Sequence, residues 1–106
     1  MRRGDIYWAS MPPPAGRRPV MVVTRDAAIA FLTKVTVAPV TRTIRGIPSE
    51  VPVGRAEGLV GDSVVNCDNL VTLPKSALDQ APLGRLPSSG VRHLDRALTF
   101  ALGIRY

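Results

Sequence analysis

Residues 34–41 read KVTVAPVT, a β-branched run with a proline at position 39 and a threonine at its end. Val35, Val37 and Val40 suit a pleated strand. Pro39 has no N–H to give to a ladder, so the pattern predicts a strand that is bulged or at a sheet edge just before Thr41. Immediately upstream, RPVMVVT (18–24) is a second short β-branched run, and the RDAAIAFLT between the two predicts an irregular or briefly helical connection. Further back, GDIYWAS (4–10) predicts a first strand, and the three consecutive prolines of MPPPAG end its pairing and leave an exposed loop.

Downstream, IPSEVPV (47–53) predicts a fourth strand, with Pro48 and Pro52 arguing for an edge position. DSVVNCDNLVTLP (62–74) is the longest β-like segment, and Asn66, Asp68 and Asn69 interrupt it with a turn, bulge or site. KSALD (75–79) fits one helical turn, and APLGRLP (81–87) a last short strand. From an N-cap at Ser88 or Ser89, the residues Val91, Leu94, Leu98, Ala101 and Leu102 recur at helical spacing as a core-facing stripe. Gly103 closes that helix. A second line, His93, Ala97, Phe100 and Ile104, widens the apolar surface enough for a partner contact. Five or six short strands and one C-terminal helix predict a mainly β fold, a small, partly open barrel of the SH3-like or OB-like kind.

The chain has 106 residues, which bounds it to a single domain over 1–106, with one core and no second lobe. Its 14 Lys plus Arg against 8 Asp plus Glu give a net charge of +6. The excess is confined to residues 1–55, where nine cations face three acids; residues 56–106 hold five of each. All cations but Lys34 and Lys75 are arginines, whose planar fork matches a phosphate bidentately, so an anionic partner for the first half is one reading. A GC-biased genome, which favours Arg, Ala, Gly, Pro and Val, is the other.

Several function classes drop out. The single cysteine, Cys67, has no partner for an internal disulfide, and one His with one Cys makes no zinc set. Phosphate-loop, dinucleotide and HExxH motifs are absent, so no cofactor and no metal are expected. MRRGDIYWAS carries basic residues without an apolar run behind them, and no stretch approaches a membrane span, so the cytoplasm is the expected compartment.

Three polar residues stand out in β context. Arg18 opens the second strand and is held extended by Pro19; Thr41 closes the third strand ahead of Arg42 and Arg45; Asp68 places a carboxylate in an apolar run, where it needs a partner or solvent. Each also has a bland reading, as a solvated strand-end arginine, a β-prone threonine and a turn-capping aspartate. Cys67 reads as a small core filler, and His93 as an interface or surface residue. Trp8 reads as core and Tyr7, on the opposite face, as the exposed member of that pair.

Taken together, RRGDIYWA, GRRPVMVVT, VTVAPVT, DSVVNCDNLVTLPK and LDRALTFALGI occur in the order and approximate spacing of one family. The chain resembles the MazF/PemK (Kid) endoribonuclease toxins over nearly its whole length. The resemblance implies an SH3-like barrel of the CcdB/MazF type with a C-terminal helix. It further implies a homodimer that cuts single-stranded RNA at short sequences without metal, and neutralisation by a cognate acidic antitoxin of the MazE kind. It carries the catalytic positions onto Arg18, Thr41 and Asp68; Arg17, Arg42, Arg45 and Arg55, on or near the loops and strand ends of the basic half, and Tyr7 are then the expected RNA contacts. Two positions depart from Kid-like members: Asn66 stands where they have arginine, and the PPPAG loop has no histidine.

Cleavage through the ribose 2′-OH needs a base, donors for the doubly charged phosphorane, and a proton for the 5′-oxygen; it leaves 2′,3′-cyclic phosphate and 5′-hydroxyl ends and spares DNA. Arg18 suits the electrostatic clamp, Thr41 a hydroxyl donor, and Asp68 the base or its orienter. The first loop is shorter than in many relatives, which leaves the groove open, so tRNA or rRNA stands beside mRNA as substrate. Two other classes compete: a CcdB-like gyrase poison, echoed by Leu102-Gly103-Ile104 without the tryptophan of that family's Trp-Gly-Ile ending, and a barrel that binds RNA without cutting it.

Overall fold

A computed structural model describes residues 1–105. Seven antiparallel strands curl into a half-barrel: β1 (Asp5–Ser10), β2 (Arg17–Val22), β3 (Lys34–Thr41), β4 (Glu50–Val53), β5 (Ser63–Asn66), β6 (Val71–Pro74) and β7 (Gly84–Arg85). A one-turn helix α1 (Asp26–Ile29) fills the connection between β2 and β3, and α2 (Ser88–Leu102) follows the sheet, with Gly103 in the left-handed conformation at its end. The strand order is β4-β5-β3-β2-β1-β7, with β6 also paired to β3.

The expected segment at 62–74 is two strands. Asn66 splits it: its side-chain oxygen accepts the Asp68 N–H at 3.0 Å and its carbonyl the Asn69 N–H at 3.4 Å, closing a turn. Both halves then pair with β3, β6 along Lys34–Val37 and β5 along Val40–Thr41. Between them Ala38 and Pro39 have ladder partners on the β2 side alone, Met21 and Val20. Pro39 therefore lies in a central strand at the point where that strand changes partner, not at an edge; the missing N–H falls where no ladder runs. The edge expected of the 47–53 segment does hold, since β4 ends the sheet.

Both sheet faces are buried. One carries Ile6, Met21, Ala38, Val40, Val51 and Val65 against Leu94 and Ala97 of α2; the other carries Val20, Val22, Val35, Val37 and Leu73 against Ile29 and Leu78. Covering on two faces explains the continuous apolar runs of the strands. It also reverses the expectation for the first strand. Tyr7 is 4% exposed in the second core, whereas Trp8 is 38% exposed. On α2, Leu94 and Ala97 are the buried pair, and Leu102, assigned from the sequence to the core stripe, is exposed with Phe100 and Ile104.

Two glycines bring distant segments into contact. A Cβ on Gly58 would overlap the Leu83 carbonyl, and one on Gly84 the Glu57 carbonyl, so the 57–58 and 83–84 backbones pass each other only because neither bears a side chain.

Candidate active site

Register builds the site. Val20 stands opposite Pro39 in the β2–β3 pairing, so two residues further along each strand the same register sets Arg18 opposite Thr41. On the other side of β3, the Val40–Val65 pairing continued by one residue places Pro39 beside Asn66, which is itself paired with Glu50 of β4. Four neighbouring strands thus deliver Arg18, Thr41, Asn66 and Glu50 to one cleft of about 190 Å³, completed by Pro39, Thr43, Arg45 and Asn69.

Each group is held by local chemistry. Thr41 Oγ1 accepts the Thr43 N–H at 3.1 Å, which fixes the side chain and leaves its own hydrogen free to donate into the cleft. Glu50 is 6% exposed. Its Oε1 accepts the N–H groups of Arg45 and Gly46 at 3.1 and 2.9 Å, and among the described residues its Oε2 makes only a 3.4 Å contact with Arg45 N. The carboxylate thereby pins the loop that carries Arg45 and keeps one oxygen largely unengaged.

Asp68 lies outside the cleft lining. It is exposed and accepts the hydroxyl of buried Ser49 at 2.6 Å, tying the β5–β6 turn to the residue before Glu50. Sequence reasoning missed Glu50. The available signal was a lone acid in an apolar strand within a basic half, and the flanking prolines drew attention to strand pairing instead.

A second cavity of about 360 Å³ opens beside the first and shares Thr41 with it. Its walls are Trp8, Pro19, Val40, Leu59, Val60 and Leu83, with Arg42 also lining it. Arg17 reaches Trp8 of its wall: its guanidinium is 5.8 Å from the Trp8 ring centroid and 2.8 Å from Asp79, whose hydrogen bond and charge hold Arg17 more firmly protonated. Arg55 lines neither cavity; its Nε donates to the Val60 carbonyl at 3.2 Å, bracing the loop that forms a wall. Tyr7, expected as an RNA contact, is withdrawn from solvent, and burial with the nearby Asp5 carboxylate pushes its phenol pKa up. Cys67 is core, as expected, with its thiol pushed by burial to about 11.

Three of the expected positions, Arg18, Thr41 and Arg45, thus meet in the first cleft, and Arg42 and Arg17 attend the second.

Comparison with known proteins places these features in context. A model of the PemK-like, MazF-like toxins of type II toxin-antitoxin systems matches residues 2–102. Endoribonuclease MazF3 of Mycobacterium tuberculosis is 53% identical over 57 residues, 54% of this chain; the match spans about half of that relative, 55%. Among solved structures, the Mycobacterium tuberculosis toxin MazF-mt6 superposes with a TM-score of 0.88 at 38% identity, covering 96% of this chain and 99% of that one. A mycobacterial endoribonuclease in complex with its cognate antitoxin gives 0.85 at 30% identity, over 100% and 98%.

Proposed function

Since the chain belongs to the PemK-like, MazF-like toxin family of type II toxin-antitoxin systems, we propose that it is an endoribonuclease that cuts single-stranded RNA through the ribose 2′-OH, without metal. The observation that carries this reading is the meeting of Arg18, Thr41 and Glu50 in one cleft. The 2′-oxygen attacks the adjacent phosphorus as its proton passes to Glu50 Oε2, and the bond to the 5′-oxygen breaks. Arg18 supplies two donors in a fixed plane to the phosphorane. A guanidinium does not give up its proton in proteins, so Arg18 is a clamp and not the proton source. The Thr41 hydroxyl donates to the same oxygens, and water supplies the proton of the leaving 5′-oxygen. Asp68 acts as a positioning residue, fixing Ser49 next to Glu50.

Arg17, Arg42 and Arg45 draw the RNA backbone to the site by charge, and Arg55 acts through the loop it braces. The exposed apolar end of α2, with Phe100 at 59% exposure, suits the homodimer contact, and the basic cleft suits an acidic antitoxin. Neutralisation by such a partner is in keeping with the antitoxin-bound relative.

Incubating the purified protein with a long RNA in EDTA tests the reading. Fragments with 2′,3′-cyclic phosphate and 5′-hydroxyl ends are expected, and sequencing those ends gives the cleavage site. RNA that stays intact across varied sequences would overturn it.

A further inference from the structure

We propose that the cavity beside Trp8 is a base pocket: it takes the nucleobase next to the scissile phosphate and stacks it on the indole. This rests on the endoribonuclease reading and adds a specificity-determining residue to it.

Thr41 is the hinge of the argument. It ends β3 and lines both cavities. Arg18 and Asn66 belong to the face that holds the phosphate cleft, whereas Trp8, Pro19 and Val40 alternate onto the other face, that of Ile6, Met21 and Ala38. An RNA strand crossing this strand end sets its phosphate against Arg18 and Thr41 and turns the attached base to the Trp8 side.

The second cavity suits a base by shape and chemistry. Its volume of about 360 Å³ falls among small-ligand clefts, ~300–1,000 Å³. Pro19, Leu59, Val60 and Leu83 offer apolar walls to a ring, Trp8 offers a π face, and Arg42 offers hydrogen-bond donors to base-edge acceptors. Charge selects the occupant. Arg17 lies over Trp8 and Arg42 beside the opening, so an apolar group that arrives attached to phosphates is favoured over an apolar side chain of a neutral partner.

Trp8 is the chain's single tryptophan, so intrinsic fluorescence reports on this pocket directly. The probe is a set of 2′-O-methyl oligoribonucleotides, one for each homopolymer base, which bind without being cut; binding is followed independently by anisotropy of a terminal dye. The expected result is quenching of Trp8 that tracks binding and differs between bases. Trp8→Leu should raise KM on the order of tenfold with kcat little changed. It should also flatten base preference at one position flanking the cut, read by sequencing product ends, while Trp8→Phe retains it.

Binding without a fluorescence change, or an unaltered cut-site profile in Trp8→Leu, would overturn the proposal. So would quenching by an acidic peptide with none by RNA, which would make the cavity a protein-docking site. Quenching by the oligonucleotides in a protein that never cuts RNA would sink the nuclease reading and leave the base pocket standing.

Discussion

Ser49 Oγ donates a 2.6 Å hydrogen bond to the Asp68 carboxylate, joining a hydroxyl that is fully buried to an acid at the surface. That bond separates two roles a carboxylate can play near this cleft. Asp68→Ala strands the Ser49 hydroxyl and should cost about 1–2 kcal/mol in urea unfolding, with cleavage kept within tenfold. Glu50→Gln should lower kcat by about 100-fold. An Asp68→Ala protein of full stability and no activity would hand the base role to Asp68.

In the proposed mechanism Arg18 and Thr41 act on the same phosphorane oxygens from facing strands, so their losses should not add. Arg18→Ala is expected to reduce kcat by roughly 10²–10³-fold, and Thr41→Val by a similar order. Arg18→Lys should recover only part, since an ammonium is a point charge without the fork. The double variant should fall little below the worse single one. Melting temperatures close to wild type would show that chemistry, not folding, was lost.

The arginines around the two cavities should be visible in salt titrations. Arg17→Ala, Arg42→Ala and Arg45→Ala should each lower the slope of log affinity against log salt by about 0.7 for a single-stranded, uncleavable RNA. Arg55→Ala should lower that slope less, because Arg55 lines neither cavity. Asp79→Asn removes a solvent-exposed pair with Arg17 and should leave the urea unfolding midpoint almost unchanged.

Burial raises the Cys67 thiol from 9.0 to about 11, so the folded chain keeps it neutral where the unfolded chain ionises it. Its contribution to stability is full below pH 9 and is lost as the pH climbs towards 11. Denaturant midpoints for wild type should therefore decline across that window relative to Cys67→Ala, after allowing for a constant offset from the smaller side chain. Alkylation by iodoacetamide at pH 8 should be slow until denaturant is added. Rapid modification of the folded protein would contradict the burial.

How far the sequence disclosed this arrangement depended on which physical signal was present. KVTVAPVT gave β3 from Lys34 to Thr41 because Val35, Thr36, Val37 and Val40 suit a strand on both sides of the Ala38-Pro39 pair, and Gly103 marked the end of α2 because a left-handed residue fits there. Pro39 announced a missing donor but not which side of the strand it faced, so an interior change of partner looked like an edge. Alternation failed for Tyr7 and Trp8 because period two assigns faces without saying which is covered, and here both are. Arg18 and Thr41 were legible as strand-end residues. Glu50 joins them through register across three strands, which no local pattern encodes.

The helix that closes the sheet has a bearing on when the cleft is assembled. Leu94 and Ala97, both 0% exposed, complete the core beneath Met21, Ala38 and Val65, and they lie downstream of every side chain in the cleft. A fragment ending at residue 87 has every side chain of the cleft and no seal over one face of its sheet. Such a fragment would leave that apolar face open to water and should not hold the cleft together, so any activity of the cleft arrives only with α2.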